Sequence, residues 1–382
     1  MIYFDNAATT SVAPAVCDRV DDILRSCFGN PSSLYDLGFT AQKELDGARK
    51  TVAEALGAFE DEIYFTASGT ESNNLAVLGS ARARRGWGKE VVISGYEHPS
   101  VNNSALALEK EGFRVIKVMP NEKGVIYPDD ILRQVNKSTA LVAVMRINNE
   151  TGATLDVDEI AKRVKKINAR TAVHCDNVQG FLKHKLSHDC IDTLSVSGHK
   201  IHAPKGIAAL FIRRSLNIEK VIFGGLQEKG LRSGTENVAF ACGFSKAVES
   251  APSINDSLKK VSALNDALRK GLSALDDIVI NSPSDASPYI LNISVLGYRS
   301  ETLLHFFEEK GIYVSSGSAC SRGEKSHTLS AMGLSGERID SAVRISLCEA
   351  NTLEEVDTFL KAVKEAKTIL VRATAHHTNN KK

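Results

Sequence analysis

Thr193-Leu-Ser-Val-Ser-Gly-His-Lys200 is a short apolar run that breaks at Gly198 and ends on a lysine. Lysine is usually exposed, yet this one follows a stretch composed like a buried strand. A second apolar run, Thr171-Ala-Val-His-Cys-Asp176, ends in a carboxylate twenty-four positions earlier. The surrounding sequence repeats the pattern. Strands are predicted over 62–66, 90–94, 114–118, 140–146, 172–176, 193–197 and 207–212, with helical stretches over 70–84, 100–110, 129–135 and 157–169. Such alternation specifies an α/β domain on a mixed, mostly parallel seven-stranded sheet. Sites in these sheets lie beyond the strand C-termini, where Asp176 and Lys200 both fall.

After residue 253 the pattern changes. A helix over 256–275, a strand over 289–294, a helix over 301–310, a Ser/Gly-rich stretch, a strand over 341–346 and a helix over 352–370 read as a smaller α+β domain. The expected organisation is a large domain over 15–252, a small domain from 1–14 and 253–372, and a disordered polar tail over 373–382.

Composition narrows the class. The 382 residues suffice for a large core, and 43% are hydrophobic. A net charge of +1 offers no field for nucleic acid or an anionic membrane. Seven cysteines without a CxxC pair argue against a disulfide framework and suit a reducing cytoplasm. No run reaches membrane-spanning length, and the N-terminus lacks the marks of a signal peptide. His184, His188 and Cys190 have metal-ligand spacing, but no second cluster completes a zinc site.

An amine and a carboxylate at the ends of two strands suit a cofactor with a carbonyl at one end and a basic ring nitrogen at the other, which describes pyridoxal 5′-phosphate. Lys200 would form the Schiff base from a desolvated place, and Asp176 would keep the ring nitrogen protonated. The plainer readings are a surface lysine and a helix N-cap. Gln179 would reach the ring oxygen or serve a capping box. Phe65-Thr-Ala-Ser-Gly-Thr-Glu-Ser72 turns from strand to helix at Gly69 and Thr70, a cradle for phosphate or an ordinary βα turn. Ser197 and His199 flank Lys200 and could donate to the same phosphate. His98 follows a strand, placed to stack on the ring or to stand by. Arg344 sits inside the β-branched run Ala342-Val-Arg-Ile-Ser346 and needs an anion there, either a substrate carboxylate or a structural Asp or Glu. Cys320 lies in Ser315-Ser-Gly-Ser-Ala-Cys-Ser-Arg-Gly-Glu-Lys-Ser326, with Arg322 and Lys325 to favour its thiolate. Cys17, Cys27, Cys175 and Cys242 instead read as small hydrophobes in helices and a strand.

Together these segments resemble the cysteine desulfurases of the NifS/IscS type, among the class V aminotransferase-like enzymes. The resemblance covers residues 2 to about 365. It rests on Tyr3-Phe-Asp-Asn-Ala-Ala-Thr-Thr10, Gly29-Asn-Pro-Ser-Ser33, Gly69-Thr-Glu-Ser-Asn73, Glu97-His-Pro-Ser100, Asn148-Asn-Glu-Thr-Gly152, Ser197-Gly-His-Lys200, Arg232-Ser-Gly-Thr-Glu-Asn237 and Ser316-Gly-Ser-Ala-Cys-Ser321, in that order. It implies PLP-dependent transferase fold type I and a homodimer with shared sites. Thr235 would complete the partner's phosphate site. Asn149, Asn30 and Arg344 would surround the ring and the substrate carboxylate. It further implies conversion of L-cysteine to L-alanine, with a persulfide on Cys320 handed to an acceptor protein for iron–sulfur cluster assembly or for tRNA or cofactor thiolation. Asn177 and Cys348 depart from the family pattern, and the segment after Cys320 is short. A selenocysteine lyase, an aminotransferase of the same fold and a non-catalytic scaffold are the competing expectations.

Overall fold

The computed structural model describes residues 1–316 and 325–372. Seven strands form one sheet: β1 (Ile63–Thr66), β2 (Glu90–Ser94), β3 (Arg114–Val118), β4 (Thr139–Met145), β5 (Ala172–Asp176), β6 (Thr193–Ser197) and β7 (Ala208–Ile212), in the spatial order β1-β7-β6-β5-β4-β2-β3. Only β7 opposes the rest, running antiparallel to both β1 and β6. The central strands β4, β5 and β6 are buried along their whole length. That is the pattern of a sheet covered on both faces. Edge strand β3 keeps Arg114 and Lys117 exposed, charges that discourage pairing with another sheet. In register, Met145 lies beside Asp176 and Asp176 beside Ser195, so β4, β5 and β6 finish at one rim.

Helix Gly69–Arg82 is buried on nearly every side. It lies over β5, β6 and β7 and beneath helix Pro99–Glu109, which explains its small polar and apolar composition in place of an amphipathic stripe. Helices Pro14–Ser26, Asp36–Leu56 and Val238–Ser250 pack together; the sequence predicts no bounds for them, although Cys17 and Cys242 read as helical positions. Pro14 starts the first of them, and Gly57 ends the second at a left-handed φ of 67°. A buried bidentate ion pair ties the second to a distant turn. Arg49 donates to Glu228 at 2.7 and 2.9 Å, and Glu228 also accepts the Phe65 N–H.

A second sheet joins Ser315–Ser316, Ala342–Ser346, Ile290–Val295 and Ile278–Ile280, all antiparallel. Helices Ile254–Ser273, Ser300–Glu309 and Leu353–Ile369 accompany it. Its core includes Phe4 and Ala7 from the N-terminus. There Ile2–Tyr3 pairs in parallel with Ile312–Tyr313, and Asp5 bridges to Ser346. The first ten residues are thereby drawn back across the rim where β5 and β6 end.

Candidate active site

A cavity of about 510 Å³ opens at that rim. Gly69, Thr70, His98, Asn149, Asp176, Gln179, Ser197, His199, Lys200 and Arg344 all line it. Lys200 ends the short turn Gly198–Lys200 after β6. Its Nζ donates to the carbonyls of Ala7 and Ala8 at 2.6 and 2.7 Å. Burial pushes its ammonium down from 10.5 to about 7, with Arg344 and Lys183 acting in the same direction and Asp5 and Asp176 against. The amine is therefore available as a nucleophile near neutral pH.

Asp176 caps no α-helix, because residues 178–183 form turns. Its Oδ1 accepts the Val178 N–H at 3.0 Å, and its Oδ2 accepts Asn73 Nδ2 at 2.8 Å. Asn73 also donates to Ser100 Oγ at 2.8 Å, and its Oδ1 meets His174 Nε2 at 3.0 Å. His98 caps helix Pro99–Glu109. Its Nδ1 lies 2.7 Å from Ser100 Oγ and 3.1 Å from the Ser100 nitrogen. Burial holds the His98 imidazole below its ordinary value, Asp176 opposes that, and Lys200 adds to it. Burial also lowers His174 to about 4. Glu97 lines the same cavity, accepts the Met145 N–H at 2.8 Å and the Ser94 hydroxyl, and is raised by burial to about 8.

The anionic end of a cofactor has a place at Ser68–Thr70. Ser68 caps helix Gly69–Arg82 by accepting the Glu71 N–H. A Cβ on Gly69 would stand 2.9 Å from Val178 Cγ2, so only glycine lets the helix start lie this close to the turn after Asp176. Ser197 Oγ is buried without a partner. His199 contacts Thr9 Oγ1 through Nδ1, and burial followed by three nearby lysines lowers it to about 4. A partnerless hydroxyl, free helix N–H groups and a buried amine beside a carboxylate fit pyridoxal phosphate.

Arg344 is 3% exposed. It donates to the Asn149 carbonyl at 2.9 Å and to Asp5 at 2.8 Å, while its buried Nε has no partner. The structural partner expected as the plainer reading thus exists, and one donor remains for an anion. Gln179 donates to the Ala7 carbonyl at 2.9 Å. Asn30 and Thr235 do not line this cavity and are exposed in the single chain. Cys320 and Arg322 lie outside the described residues, whereas Lys325 lines the cavity. Cys17 is exposed, contrary to the expectation of a buried hydrophobe. It sits on the outer side of helix Pro14–Ser26, whose buried residues are Val16 and Ile23. His184 contacts Ser287 Oγ, and His188 packs edge-on to Phe211. Asn177 fits its buried place because Gly180 leaves room, since a Cβ there would meet Asn177 Oδ1 at 2.3 Å.

Sequence reasoning missed Ala7, Ala8, Asp5 and the hub Asn73. Asn73 carried one signal, an amide one helical turn beyond Gly69, on the face where Gly69 meets the sheet.

Residues 2–359 match the family model described as aminotransferase class-V. The chain is 40% identical over 375 residues to a NifS/IcsS protein homolog of Lactobacillus delbrueckii subsp. bulgaricus, covering 96% of this chain and 97% of that protein. It is 38% identical to cysteine desulfurase IscS of Methanosarcina thermophila, covering 95% and 91%. Among solved structures, a NifS-like protein superposes with a TM-score of 0.90 at 36% identity, covering 97% of this chain and all of that one.

Proposed function

The chain belongs to the class-V aminotransferase family, and from that premise we propose that it is a pyridoxal-phosphate-dependent cysteine desulfurase. It converts L-cysteine to L-alanine and passes the sulfur to an acceptor protein for cluster assembly or thiolation. The observation that carries this is the cavity itself. A buried lysine of lowered basicity, a carboxylate and a partnerless serine converge at one rim, in a chain whose relatives are named cysteine desulfurases.

Gly69, Thr70, Ser197 and His199 would hold the phosphate, Asp176 the ring nitrogen, Gln179 the ring oxygen and His98 the ring face, with Asn149 beside the ring and the substrate carboxylate. When bound, the cofactor supplies a carbonyl for the substrate amine and a ring that withdraws electrons from Cα. Arg344 orients the substrate carboxylate with Nε while Asp5 and the Asn149 carbonyl hold the guanidinium in place. Lys200 Nζ, neutral near pH 7, moves the Cα proton. The Ala7 and Ala8 carbonyls receive its hydrogens whenever it is charged. Cys320 attacks the substrate sulfur as thiolate. An S–S bond forms, the C–S bond breaks, and the bonding pair stays with the carbon skeleton that leaves as alanine. Lys325, five residues after Cys320 in the sequence, lines the cavity wall and adds positive charge there.

We infer a homodimer with shared sites from the same reading. Thr235 is exposed, as it must be to serve a partner's phosphate site. Leu34, Phe223 and Leu226 are more than four-fifths exposed on two nearby segments. No described helix is long and apolar enough to cross a membrane.

The test is alanine and sulfide release from L-cysteine with a reductant, wild type beside Cys320→Ala. A desulfurase loses cysteine turnover in the variant. An aminotransferase keeps its activity, and a scaffold yields no alanine from either protein.

A further inference from the structure

Asn73 sits where three polar groups meet, and the direction of every hydrogen bond around it can be worked out from one end. Asp176, as a carboxylate, only accepts. The Asn73 atom 2.8 Å away must therefore be the amide nitrogen, which removes the usual ambiguity between amide nitrogen and oxygen. The Asn73 oxygen then faces His174 Nε2 at 3.0 Å, so that nitrogen carries the hydrogen. His174 Nδ1 is consequently bare and accepts the Thr193 hydroxyl at 3.0 Å. The second Asn73 amide hydrogen points to Ser100 Oγ. Ser100 has one hydroxyl hydrogen, and it goes to His98 Nδ1 at 2.7 Å.

The backbone leads to the same assignment for His98 by a separate route. The Ser100 N–H points at the same Nδ1 at 3.1 Å, and an N–H donates only. Nδ1 is therefore hydrogen-free and engaged twice. Nε2 bears the hydrogen of the neutral ring. Nε2 has no protein partner among the described residues, and His98 lines the cavity. His174 and Asp176 are two residues apart on β5 and share a face of the sheet, which is why one helix residue can meet both. All the connecting side chains are at least nine-tenths buried, so water does not compete for these bonds.

We propose that Asn73 is a positioning residue that fixes the polarity of a hydrogen-bond chain from Asp176 to His98, and that His98 consequently presents an Nε2–H donor to the cavity and has no free nitrogen with which to accept a proton. The proposal rests on the desulfurase reading only for what fills the cavity. There the ring acts as a platform and hydrogen-bond donor toward the substrate, and the removal of the Cα proton is left to Lys200. His98 can take up a proton only after Ser100 turns away from it.

The experiment is long-range proton–nitrogen NMR on cofactor-free protein labelled with nitrogen-15 histidine, without cysteine, so that failure of the desulfurase reading leaves it unaffected. The expected result is a single Nε2–H tautomer for both His98 and His174 at neutral pH. An Nδ1–H signal or a charged ring at His98 overturns the proposal. In Asn73→Ala the expected result is loss of the single-tautomer pattern at His174, whose Nε2 loses its acceptor, while His98 keeps its Nε2–H because the Ser100 N–H still occupies Nδ1. Unchanged spectra overturn the role of Asn73. Should that variant fail to fold, Thr193→Val serves. His174 should keep its Nε2–H because Asn73 sets it, and a scrambled His174 tautomer counts against Asn73.

Discussion

Two side chains carry most of the site's response to pH. Lys200 is charged below about pH 7 and neutral above it, because burial, Arg344 and Lys183 all disfavour the ammonium. Cofactor loading, followed by absorbance, should reach half its maximal rate near pH 7. Lys183→Met removes one of the depressing charges and should move that midpoint upward. A midpoint near that of free lysine would contradict the assignment. Glu97 behaves oppositely, for burial raises it from 4.5 to about 8. Its folded form holds a proton that the unfolded chain releases, so stability is greatest below pH 4.5 and falls as pH rises toward 8. Glu97→Gln retains the acceptor for Ser94 and Met145 without the charge. In cofactor-free protein it should be more stable than wild type at pH 8, by on the order of a few kcal/mol, with the advantage gone at pH 4.5. Thermal melts at the two pH values check this. Lys200, Asp176 and Arg344 were legible in the sequence because a charge ending or interrupting an apolar strand is out of place. Asp5, Ala7 and Ala8 were not, since their partners lie 192 or more positions away and carbonyls have no sequence signature.

Among the elements, the start of helix Gly69–Arg82 depends on a missing side chain. Gly69→Ala places a methyl 2.9 Å from Val178 Cγ2 and 3.6 Å from Ser197 Cβ. The helix start must then move away from the turn that carries Asp176. Cofactor affinity should fall about tenfold, or about 1.4 kcal/mol, while the melting temperature of the cofactor-free protein stays nearly constant. A fluorescence titration with pyridoxal phosphate measures the first quantity and calorimetry the second. All seven sheet strands were readable because each is a short run rich in apolar or β-branched residues between helical or turn segments. Helices Pro14–Ser26, Asp36–Leu56 and Val238–Ser250 were given no bounds, although Cys17 and Cys242 read as helical positions. They pack chiefly on one another, away from the βα alternation that guided the reading.

Among the described residues there are two principal apolar cores. One spans residues 16–247, and the other joins Phe4, Ala7 and Ile147 to residues 261–366. This supports the proposed division into a large domain over 15–252 and a small domain from 1–14 and 253–372, with the cavity where the N-terminal segment passes between them. Leu34 and Phe223 lie open to solvent, and the proposed dimer would cover them. In analytical ultracentrifugation the wild type should sediment as a dimer. Leu34→Asp combined with Phe223→Asp should sediment as a monomer that retains cofactor poorly, because Thr235 no longer reaches a partner's phosphate. Exposure of this kind was invisible in the sequence, where both residues read as ordinary apolar positions.

The central claim is that sulfur passes from L-cysteine to Cys320. One turnover without reductant, followed by mass spectrometry of the peptide containing Cys320, tests it directly. The account predicts one additional sulfur on Cys320 for each alanine released, and none on Cys17, the exposed thiol among the described cysteines. Alanine released with Cys320 unmodified, or at the wild-type rate from Cys320→Ala, would contradict it.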